Sequence, residues 1–406
     1  MTEKTSRVPG EEAHRAAGPV GAPVILSNEP GSFARGVLAR RHPALIRQVR
    51  DAFPYARRQH AALDALLDEI TNGVIEPLAP AEHDHERWAA WGQEHFGRSW
   101  YDAPFLWAES YFYRRLLAAV GYFGTGPWQG VDPFAPFKRA ELPGEAVEEE
   151  LRALDALADA PAHERATALL HASLWGNRAD LGFRVSADEA TAGGAVASAL
   201  VADDSAALWQ ILPAHASSTV AVVADNAGRE LIPDLILTDH LLGHRHAERV
   251  VLHVKPHPYY VSDAMTADVV DCLRRLTEAP GEAGRIGGRL WKAMTAGNLE
   301  IRTHPFFCAP LPYEDMPDDL RREFASATLT LLKGDLNYRR LVGDRRWDAT
   351  VPFADLTAYF PGAVAALRTL KSDVVVGLEQ GTLDALERSG AAWRTSGTHA
   401  LIQVRR

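Results

Sequence analysis

One stretch constrains the fold more than any other: a β-branched apolar run that ends abruptly in polar residues and glycine. Residues 218–224 form this run, and Asp225, Asn226, Ala227 and Gly228 follow it. A short apolar run bounded by turn residues predicts a buried strand, and the apolar residues 231–237 predict a helix. Because ligands bind beyond the carboxyl ends of strands in open α/β sheets, Asp225 and Asn226 are candidate ligand-binding residues.

The residue types at this strand end suit a metal ion. Carboxylate and amide oxygens are preferred by hard divalent cations such as Mg²⁺ and Mn²⁺. The alternative is an ordinary turn of the Asp-Asn-Gly kind that joins the strand to the helix. The stretch alone leaves both interpretations open.

A second strand makes the sheet parallel. Residues 249–256 are again apolar and β-branched, and a strand, a helix over about 230–242 and another strand form a βαβ crossover. Asp263 lies at the next strand-to-helix junction, so it is predicted to face the same cleft as Asp225. The alternative for Asp263 is a helix N-cap.

The rest of the chain differs in character from this α/β part. Residues 1–23 have the composition of a disordered tail, residues 24–195 have mainly helical spacing, and residues 196–406 carry the strand and helix alternation. We therefore predict an α/β protein with a three-layer α/β/α Rossmann-like sheet domain and an N-terminal helical unit. The metal and phosphate site is expected in the 196–406 domain.

Two later segments carry polar residues beyond apolar runs. The run that ends near Lys333 is followed at once by Gly334, Asp335, Asn337 and Arg339. A guanidinium can bind a phosphate through two hydrogen bonds, and Asn337 and the backbone beside the glycine offer further donors.

The second of these segments is cationic. Arg368 and Lys371 lie three residues apart between apolar stretches. Long cationic side chains are commonly ordinary surface residues, which is the alternative for Arg368. Lys371 is flanked by apolar runs on both sides, so solvation is harder to arrange for it.

Composition excludes several classes of protein. The formal net charge of −10 opposes sequence-independent nucleic-acid binding. Only Cys272 and Cys308 are present, which is too few for a disulfide framework and fits a reducing compartment. No run of membrane-spanning length and no signal peptide is visible, so we expect a cytoplasmic protein that binds neither nucleic acid nor membrane. The oligomeric state cannot be predicted.

The histidines near residue 240 are weak evidence for a zinc site. His240 and His244 have the four-residue spacing of a helical zinc site, with His246 nearby, but no glutamate occupies the metalloprotease position. Histidines near a helix C-terminus are favoured by the helix dipole in any case. The sequence also lacks a nucleotide-binding Gly-Lys-Ser/Thr loop and a Gly-x-Ser-x-Gly nucleophile elbow.

Taken together, the motifs identify a family resemblance. The chain resembles the metal-dependent damage-control phosphatases of the acidic-residue-methyltransferase-like subfamily, which remove phosphate from sugar phosphates such as fructose 1-phosphate. The matching segments are Ser32-Phe33-Ala34, residues 103–115, residues 173–177 (Ser-Leu-Trp-Gly-Asn), residues 225–228 (Asp-Asn-Ala-Gly), Val261-Ser262-Asp263, residues 333–339 (Lys-Gly-Asp-Leu-Asn-Tyr-Arg) and residues 368–371 (Arg-Thr-Leu-Lys). They occur in family order from about residue 30 to residue 380.

The resemblance implies roles for particular residues. Asp225, Asn226 and Asp263 would hold a divalent metal ion, which is Mn²⁺, Co²⁺, Ni²⁺ or Mg²⁺, and these three residues and Lys371 would be catalytic. The residues implied to contact the substrate are Arg41, Asn177, Asp335, Leu336, Asn337, Tyr338, Arg339 and Lys371. The chain departs from the family pattern at Arg229, where an aromatic residue is usual, and at Tyr259-Tyr260, where Trp-Phe is common, so the substrate can differ.

The predicted activity is metal-dependent hydrolysis of small sugar phosphates or related phosphometabolites. Phosphoryl transfer needs mainly positioning and charge stabilisation, which Lys371 and Arg339 would supply around the phosphoryl group. The nucleophile is either a water molecule on the metal or Asp225 through an aspartyl-phosphate. One alternative is a carboxyl methyltransferase that uses S-adenosylmethionine, although the glycine-rich turn common for that cofactor is absent. Another is a pathway-specific enzyme recruited from the phosphatase scaffold.

Overall fold

The computed structural model describes residues 21–176, 199–213 and 218–406. Within these ranges the helices are α1 (Phe33–Gly36), α2 (His42–Ala52), α3 (Arg57–Asn72), α4 (His85–Gly92), α5 (Phe105–Val120), α6 (Ala135–Ala140), α7 (Glu145–Ala158), α8 (Ala162–Trp175), α9 (Ser205–Ile211), α10 (Leu231–Gly243), α11 (Thr266–Thr277), α12 (Gly281–Ala296), α13 (Asp318–Ser326), α14 (Gly334–Val342), α15 (Phe353–Leu356) and α16 (Gln380–Arg388). A π-helical turn, Val37–Arg41, joins α1 to α2. The predicted tail lies mostly outside the described residues.

The strands of the described ranges form one seven-stranded sheet. They are β1 (Leu200–Asp203), β2 (Thr219–Val223), β3 (Arg249–Val254), β4 (Leu299–Thr303), β5 (Leu329–Lys333), β6 (Val364–Thr369) and β7 (Ala400–Arg405). Their order is β1-β7-β6-β5-β2-β3-β4. Strands β4, β3, β2, β5 and β6 are parallel to one another, whereas β7 runs antiparallel to β6. The chain builds outward from β2 in one direction and then returns to its other side, so β2 and β5 flank a topological switch point.

Alternate residues of β2 face opposite layers, as the two-residue period of a strand requires. Val220 and Val222 pack into a core with α7, α8 and α10–α12. Ala221 and Val223 pack into a second core with α2, α3, α5, α13 and α14. Helices therefore cover both faces of the sheet, which confirms the predicted three-layer α/β/α architecture.

The N-terminal helices contribute to both layers. Helices α2, α3 and α5 share their core with one face of the sheet, and α7 and α8 share theirs with the other. The hydrophobic core therefore crosses the predicted boundary at residue 195. Both cores include side chains from each part of the chain. The division into a helical unit and an α/β domain stays a prediction made from the sequence.

The central βαβ unit is confirmed, and one detail of the sequence interpretation is corrected. Residues 281–319 contain α12 and strand β4. The N-cap of α11 is Met265, so Asp263 precedes the helix instead of capping it. The capping alternative for Asp263 is therefore wrong, and the Asp263 side chain is left to other contacts.

Candidate active site

The candidate site lies at the carboxyl edge of the sheet, at the switch point between β2 and β5. A small crevice there is lined by α8, the segment after β2, the first turn of α10, the end of β5 with the start of α14, and β6. The residues are Ser173, Leu174, Trp175, Asp225, Asn226, Glu230, Asp234, Lys333, Gly334, Leu367 and Thr369. This is the edge at which open α/β sheets bind ligands. Asp225 and Asn226 therefore lie just beyond the end of β2, at the position that the sequence predicted.

Close packing between the two central strand ends fixes Asp225. Gly334 has φ +84°, and a Cβ atom there would lie 1.9 Å from Asp225 Oδ2. Only glycine adopts this backbone conformation readily and leaves room for the carboxylate. The glycine seen in the sequence is thus needed for the close approach of β5 to Asp225.

The Asp225 and Asp263 loops are joined directly through their backbones. Asn226 and Asp263 form an isolated antiparallel bridge. The Ala264 amide donates to the Asp225 carbonyl over 2.9 Å, and the Ala227 amide donates to the Ser262 carbonyl over 2.6 Å. The loops that carry Asp225 and Asp263, which are 38 positions apart in the chain, are therefore held together by backbone hydrogen bonds.

Hydrogen bonds orient the Asn226 amide. Its Oδ1 accepts from Ser262 Oγ over 2.6 Å, and its Nδ2 donates to Glu230 Oε2 over 2.8 Å and to Asp225 Oδ2 over 3.2 Å. Side chains that lock a ligand in place in this way are typical of metal sites.

The negative charges at the site are incompletely neutralised. Burial, followed by the Glu230 and Asp263 carboxylates, raises the pKa of Asp225 well above its usual value, and Lys371 and Lys255 only partly oppose this. Burial also raises the pKa of Asp263, against the effect of Lys255, whose Nζ lies 3.9 Å from Asp263 Oδ2. A bound cation would offset the repulsion that Glu230 and Asp263 exert on the Asp225 carboxylate.

Lys371 enters the site from the end of β6. Its ammonium lies 3.5 Å from Glu230 Oε1, and its side chain is 44% exposed. Burial lowers the pKa of Lys371, but Glu230, Asp225 and Asp335 outweigh this and raise it, so the side chain is cationic. Lys371 is therefore a cation beside Glu230, and it is more exposed than its apolar flanking residues suggested.

Asp335, also predicted to contact substrate, is paired within the protein. Its Oδ1 accepts from Arg368 Nε over 2.8 Å and from Ser372 Oγ over 3.0 Å. Burial acts to raise the pKa of Asp335, but the Arg368 and Arg339 guanidiniums outweigh it and hold the pKa below its usual value. The hydrogen bond from Ser372 to Asp335 ties the start of α14 to the loop that carries Lys371.

The next three residues of the predicted substrate segment are buried. The Asn337 amide donates to the Ala224 and Lys333 carbonyls, over 3.2 and 2.7 Å, and so ties β2 to β5. The Tyr338 hydroxyl donates to Gln403 Oε1 over 2.9 Å, and Leu336 packs with Leu106, Tyr259 and Cys308. Substrate contact by these three residues stays a prediction.

Arg339 is buried between two carboxylates. Its Nη1 lies 2.9 Å from Glu109 Oε2, and its Nε lies 2.7 Å from Asp344 Oδ1. The guanidinium also lies over the Phe105 ring. The Arg339 guanidinium, which was predicted to bind phosphate, is thus paired with two carboxylates of the protein. Phosphate contact by Arg339 stays a prediction.

The other two predicted residues lie at the periphery or beyond the described ranges. Arg41 is exposed, at the end of the π-helical turn, and lines a cavity of about 590 Å³ together with Ser32, Phe33 and Asp373. Asn177 lies outside the described residues. The preceding Gly176 has φ +52°, and a Cβ atom there would lie 2.8 Å from Glu230 Cγ.

Sequence reasoning missed two charged residues of the site. Glu230 follows Asn226 by four residues, and its closeness to the end of β2 was a usable signal. Lys255 ends the apolar run of β3 as Lys333 ends β5. Lys333 lies beneath the crevice, 3.0 Å from Asp234 Oδ1, and its ammonium also donates to Ser173 Oγ over 2.7 Å.

The donor set fits a hard divalent cation. Within the described residues, no group of three or more His, Cys, Asp or Glu side chains has the arrangement of a metal site. The side-chain oxygens predicted as ligands here are those of Asp225, Asn226 and Asp263. Two carboxylates and an amide provide the oxygen ligands that Mg²⁺ and Mn²⁺ prefer.

Comparison with known proteins assigns the family. Residues 37–386 match the family model described as the damage-control phosphatase ARMT1-like domain. The human damage-control phosphatase ARMT1 is 31% identical over 434 residues, covering 94% of this chain and 98% of that protein. The zebrafish (Danio rerio) protein of the same name is 31% identical over 333 residues, covering 75% and 74%. A crystal structure of a DUF89 family protein from Pyrococcus horikoshii covers 90% of this chain and 98% of its own, at 14% identity and a TM-score of 0.45.

The chain belongs to the damage-control phosphatase family. It is accordingly a phosphatase, and the family to which it belongs is metal-dependent. The sequence-based prediction of the family and of the enzyme class is thereby confirmed. Among the described residues, no helix combines the length and apolar character needed to span a bilayer.

Proposed function

We propose that this phosphatase hydrolyses small sugar phosphates or related phosphometabolites at the β2–β5 switch point. One observation carries the proposal: the Asp225, Asp263 and Glu230 carboxylates converge beside the partly exposed ammonium of Lys371. Such a site offers negative oxygens to a cation and a positive group to a phosphate. The reaction consumes a phosphomonoester and water and releases an alcohol and inorganic phosphate.

We propose Asp225, Asn226 and Asp263 as the metal ligands. The hydrogen bonds from Asn226 Nδ2 to Glu230 and from Ser262 Oγ to Asn226 Oδ1 hold the amide in place for this role. A bound divalent ion would neutralise the phosphate oxygens and lower the barrier to displacement. Mg²⁺ and Mn²⁺ are the preferred ions because all three ligands are oxygen atoms.

Lys371 is the proposed phosphate contact of the protein itself. In this structure its ammonium pairs with Glu230, and its partly exposed side chain lies beside the site. An incoming phosphate competes with Glu230 for the same ammonium. Arg339 and Arg368 have a supporting role in this proposal because both guanidiniums already hold buried carboxylates.

The proposal is tested by measuring phosphate release from a panel of sugar and nucleotide phosphates. The assay is run with Mn²⁺, Co²⁺, Ni²⁺ or Mg²⁺, and with a chelator as the control. We expect metal-dependent release from small sugar phosphates and its loss in Asp225→Asn. Metal-dependent release that persists in Asp225→Asn would show that the ligands have been assigned incorrectly. Binding of S-adenosylmethionine in a titration would favour the methyltransferase alternative.

A further inference from the structure

A buried lysine from the N-terminal helices reaches the loop that carries Asp263. Lys138, on α6, is 4% exposed. Its ammonium lies 2.7 Å from Asp132 Oδ2 and 2.7 Å from Asp268 Oδ2, and it donates to the Asp263 carbonyl over 3.3 Å. The ammonium therefore donates to Asp268 and to the Asp263 carbonyl, and it forms an ion pair with Asp132.

The acceptors tie together three parts of the chain. Asp132 lies in the loop before α6 and also accepts from the Phe134 amide over 2.8 Å. Asp268 lies in the first turn of α11 and also accepts from the Met265 amide over 2.9 Å. Lys138 therefore fixes the carbonyl of Asp263 relative to both α6 and α11.

The α6 segment also contacts the loop that carries Asp225 and Asn226. A Cβ atom on Gly228 would lie 3.2 Å from the Lys138 carbonyl oxygen and 2.7 Å from Glu141 Oε2. The Arg229 amide donates to Glu141 Oε2 over 3.5 Å. One short helix is thus packed against both loops that supply the proposed metal ligands.

We propose that Lys138 is a positioning residue that holds the Asp263 loop in the geometry required for metal binding. The inference rests on the proposed function, in which Asp263 is a ligand. Residues behind metal ligands commonly change metal affinity by about 10- to 100-fold when they are removed. The α6 segment would then be part of the metal site without supplying a ligand.

The test is a calorimetric titration with Mn²⁺ alone, without substrate, of the wild type, Asp263→Asn, Lys138→Met and Arg139→Met. Methionine keeps a long apolar stem but has no ammonium. Arg139 is the matched control because it is the next residue of α6, is largely exposed and pairs with Asp271 over 3.2 Å. We expect the dissociation constant for Mn²⁺ to rise about 10- to 100-fold in Lys138→Met. Arg139→Met should bind like the wild type.

Lys138→Met leaves two buried carboxylates without their cation, so this variant can fail to fold. In that case Lys138→Met/Asp132→Asn, which removes one charge of each sign, is titrated in its place, with the same expected rise. Wild-type affinity in the folded variant, together with loss of binding in Asp263→Asn, would overturn the role of Lys138 alone. Unchanged binding in Asp263→Asn would instead overturn the proposed metal site.

Discussion

The carboxyl groups on the two sides of the switch point have pKa values that are shifted in opposite directions. On the β2–β3 side, Asp263 is buried and Asp225 is half-buried, and both carboxyl groups have raised pKa values. On the β5–β6 side, Asp335 pairs with Arg368 and has a lowered pKa. On the first side, Lys371 and Lys255 only partly offset the raised pKa values, whereas Asp335 on the second side is neutralised by guanidiniums of the protein. We infer that the first side binds the metal and the second is the rigid frame that positions Lys371.

The largest effect should come from removing a guanidinium of the frame. Arg339→Met leaves the Glu109 and Asp344 carboxylates buried without a cation, so we expect a loss of about 3–5 kcal/mol in the free energy of unfolding. Urea denaturation measures the change. The control is Arg346→Met, because Arg346 makes a half-exposed pair with Glu29 that should contribute about 1 kcal/mol or less.

A different result for Arg339→Met would break the comparison. If the variant kept wild-type stability but needed much more substrate for half-maximal phosphate release, Arg339 would be a substrate contact. The frame would then extend into the binding site, as the sequence alone suggests.

Removing the cation that faces the site should affect activity instead of stability. Lys371→Met should reduce phosphate release by about 10²- to 10³-fold, the range typical for loss of one group that stabilises transition-state charge. The thermal midpoint should change little because the side chain is 44% exposed. Lys292→Met, an exposed lysine of α12, is the matched control and should keep full activity. Full activity in Lys371→Met would exclude Lys371 as the phosphate contact.

The contact between the two sides is tested at Gly334. Gly334→Ala places a Cβ atom against Asp225 Oδ2 at a backbone φ of +84°, so we expect it to cost about 2–4 kcal/mol in stability. Mn²⁺ affinity should fall as well, because Asp225 must move. Gly288→Ala is the control: no other side chain or backbone group lies within 4 Å of that Cβ position. If denaturation and titration show both variants alike, the close approach at Gly334 is unimportant.

The smallest effect concerns the buried imidazole of His42, whose ring nitrogens have no hydrogen-bond partner among the described residues. Burial, followed by Arg41, lowers the pKa of His42 from 6.5 to about 3. The folded state therefore favours neutral His42, and its contribution to stability is fully present above pH 7. It is lost as the pH falls below 6.5 towards 3, which amounts to about 2 kcal/mol between pH 8 and pH 5.

Urea denaturation at pH 8 and pH 5 tests this for the wild type and His42→Leu. His240 is also buried with a pKa lowered to about 3, so the wild type should lose more than the His42 share. The informative quantity is the difference between the two proteins, which removes the contribution of His240. An equal loss of stability in both would show that His42 does not set the acid sensitivity.

Some features of the site were predictable because their signals are local. The β-branched run before Asp225 identified β2, and the following crossover placed Asp263 at the same edge of the sheet. By contrast, the pairing of the Arg339 guanidinium with buried carboxylates was not predictable. Its partner Glu109 lies 230 positions away on α5, and no spacing rule connects them.

Strand order and charge balance were decided by tertiary packing. Strand β7 lies between β1 and β6 and is antiparallel to β6, which is an arrangement that local patterns do not encode. Lys138 likewise shows no special signal in the sequence. Its importance arises only because α6 packs against the loops of Asp225 and Asp263.

The sequence by itself determined the fold class, the family and the group of polar residues that follow the strands. It did so because strand periodicity, turn residues and ordered motifs are properties of neighbouring positions. Only the tertiary structure decided which charged side chains are free and which are already paired. That distinction depends on distances between residues far apart in the chain, and on burial, which strengthens charge interactions and makes an unpaired charge unfavourable.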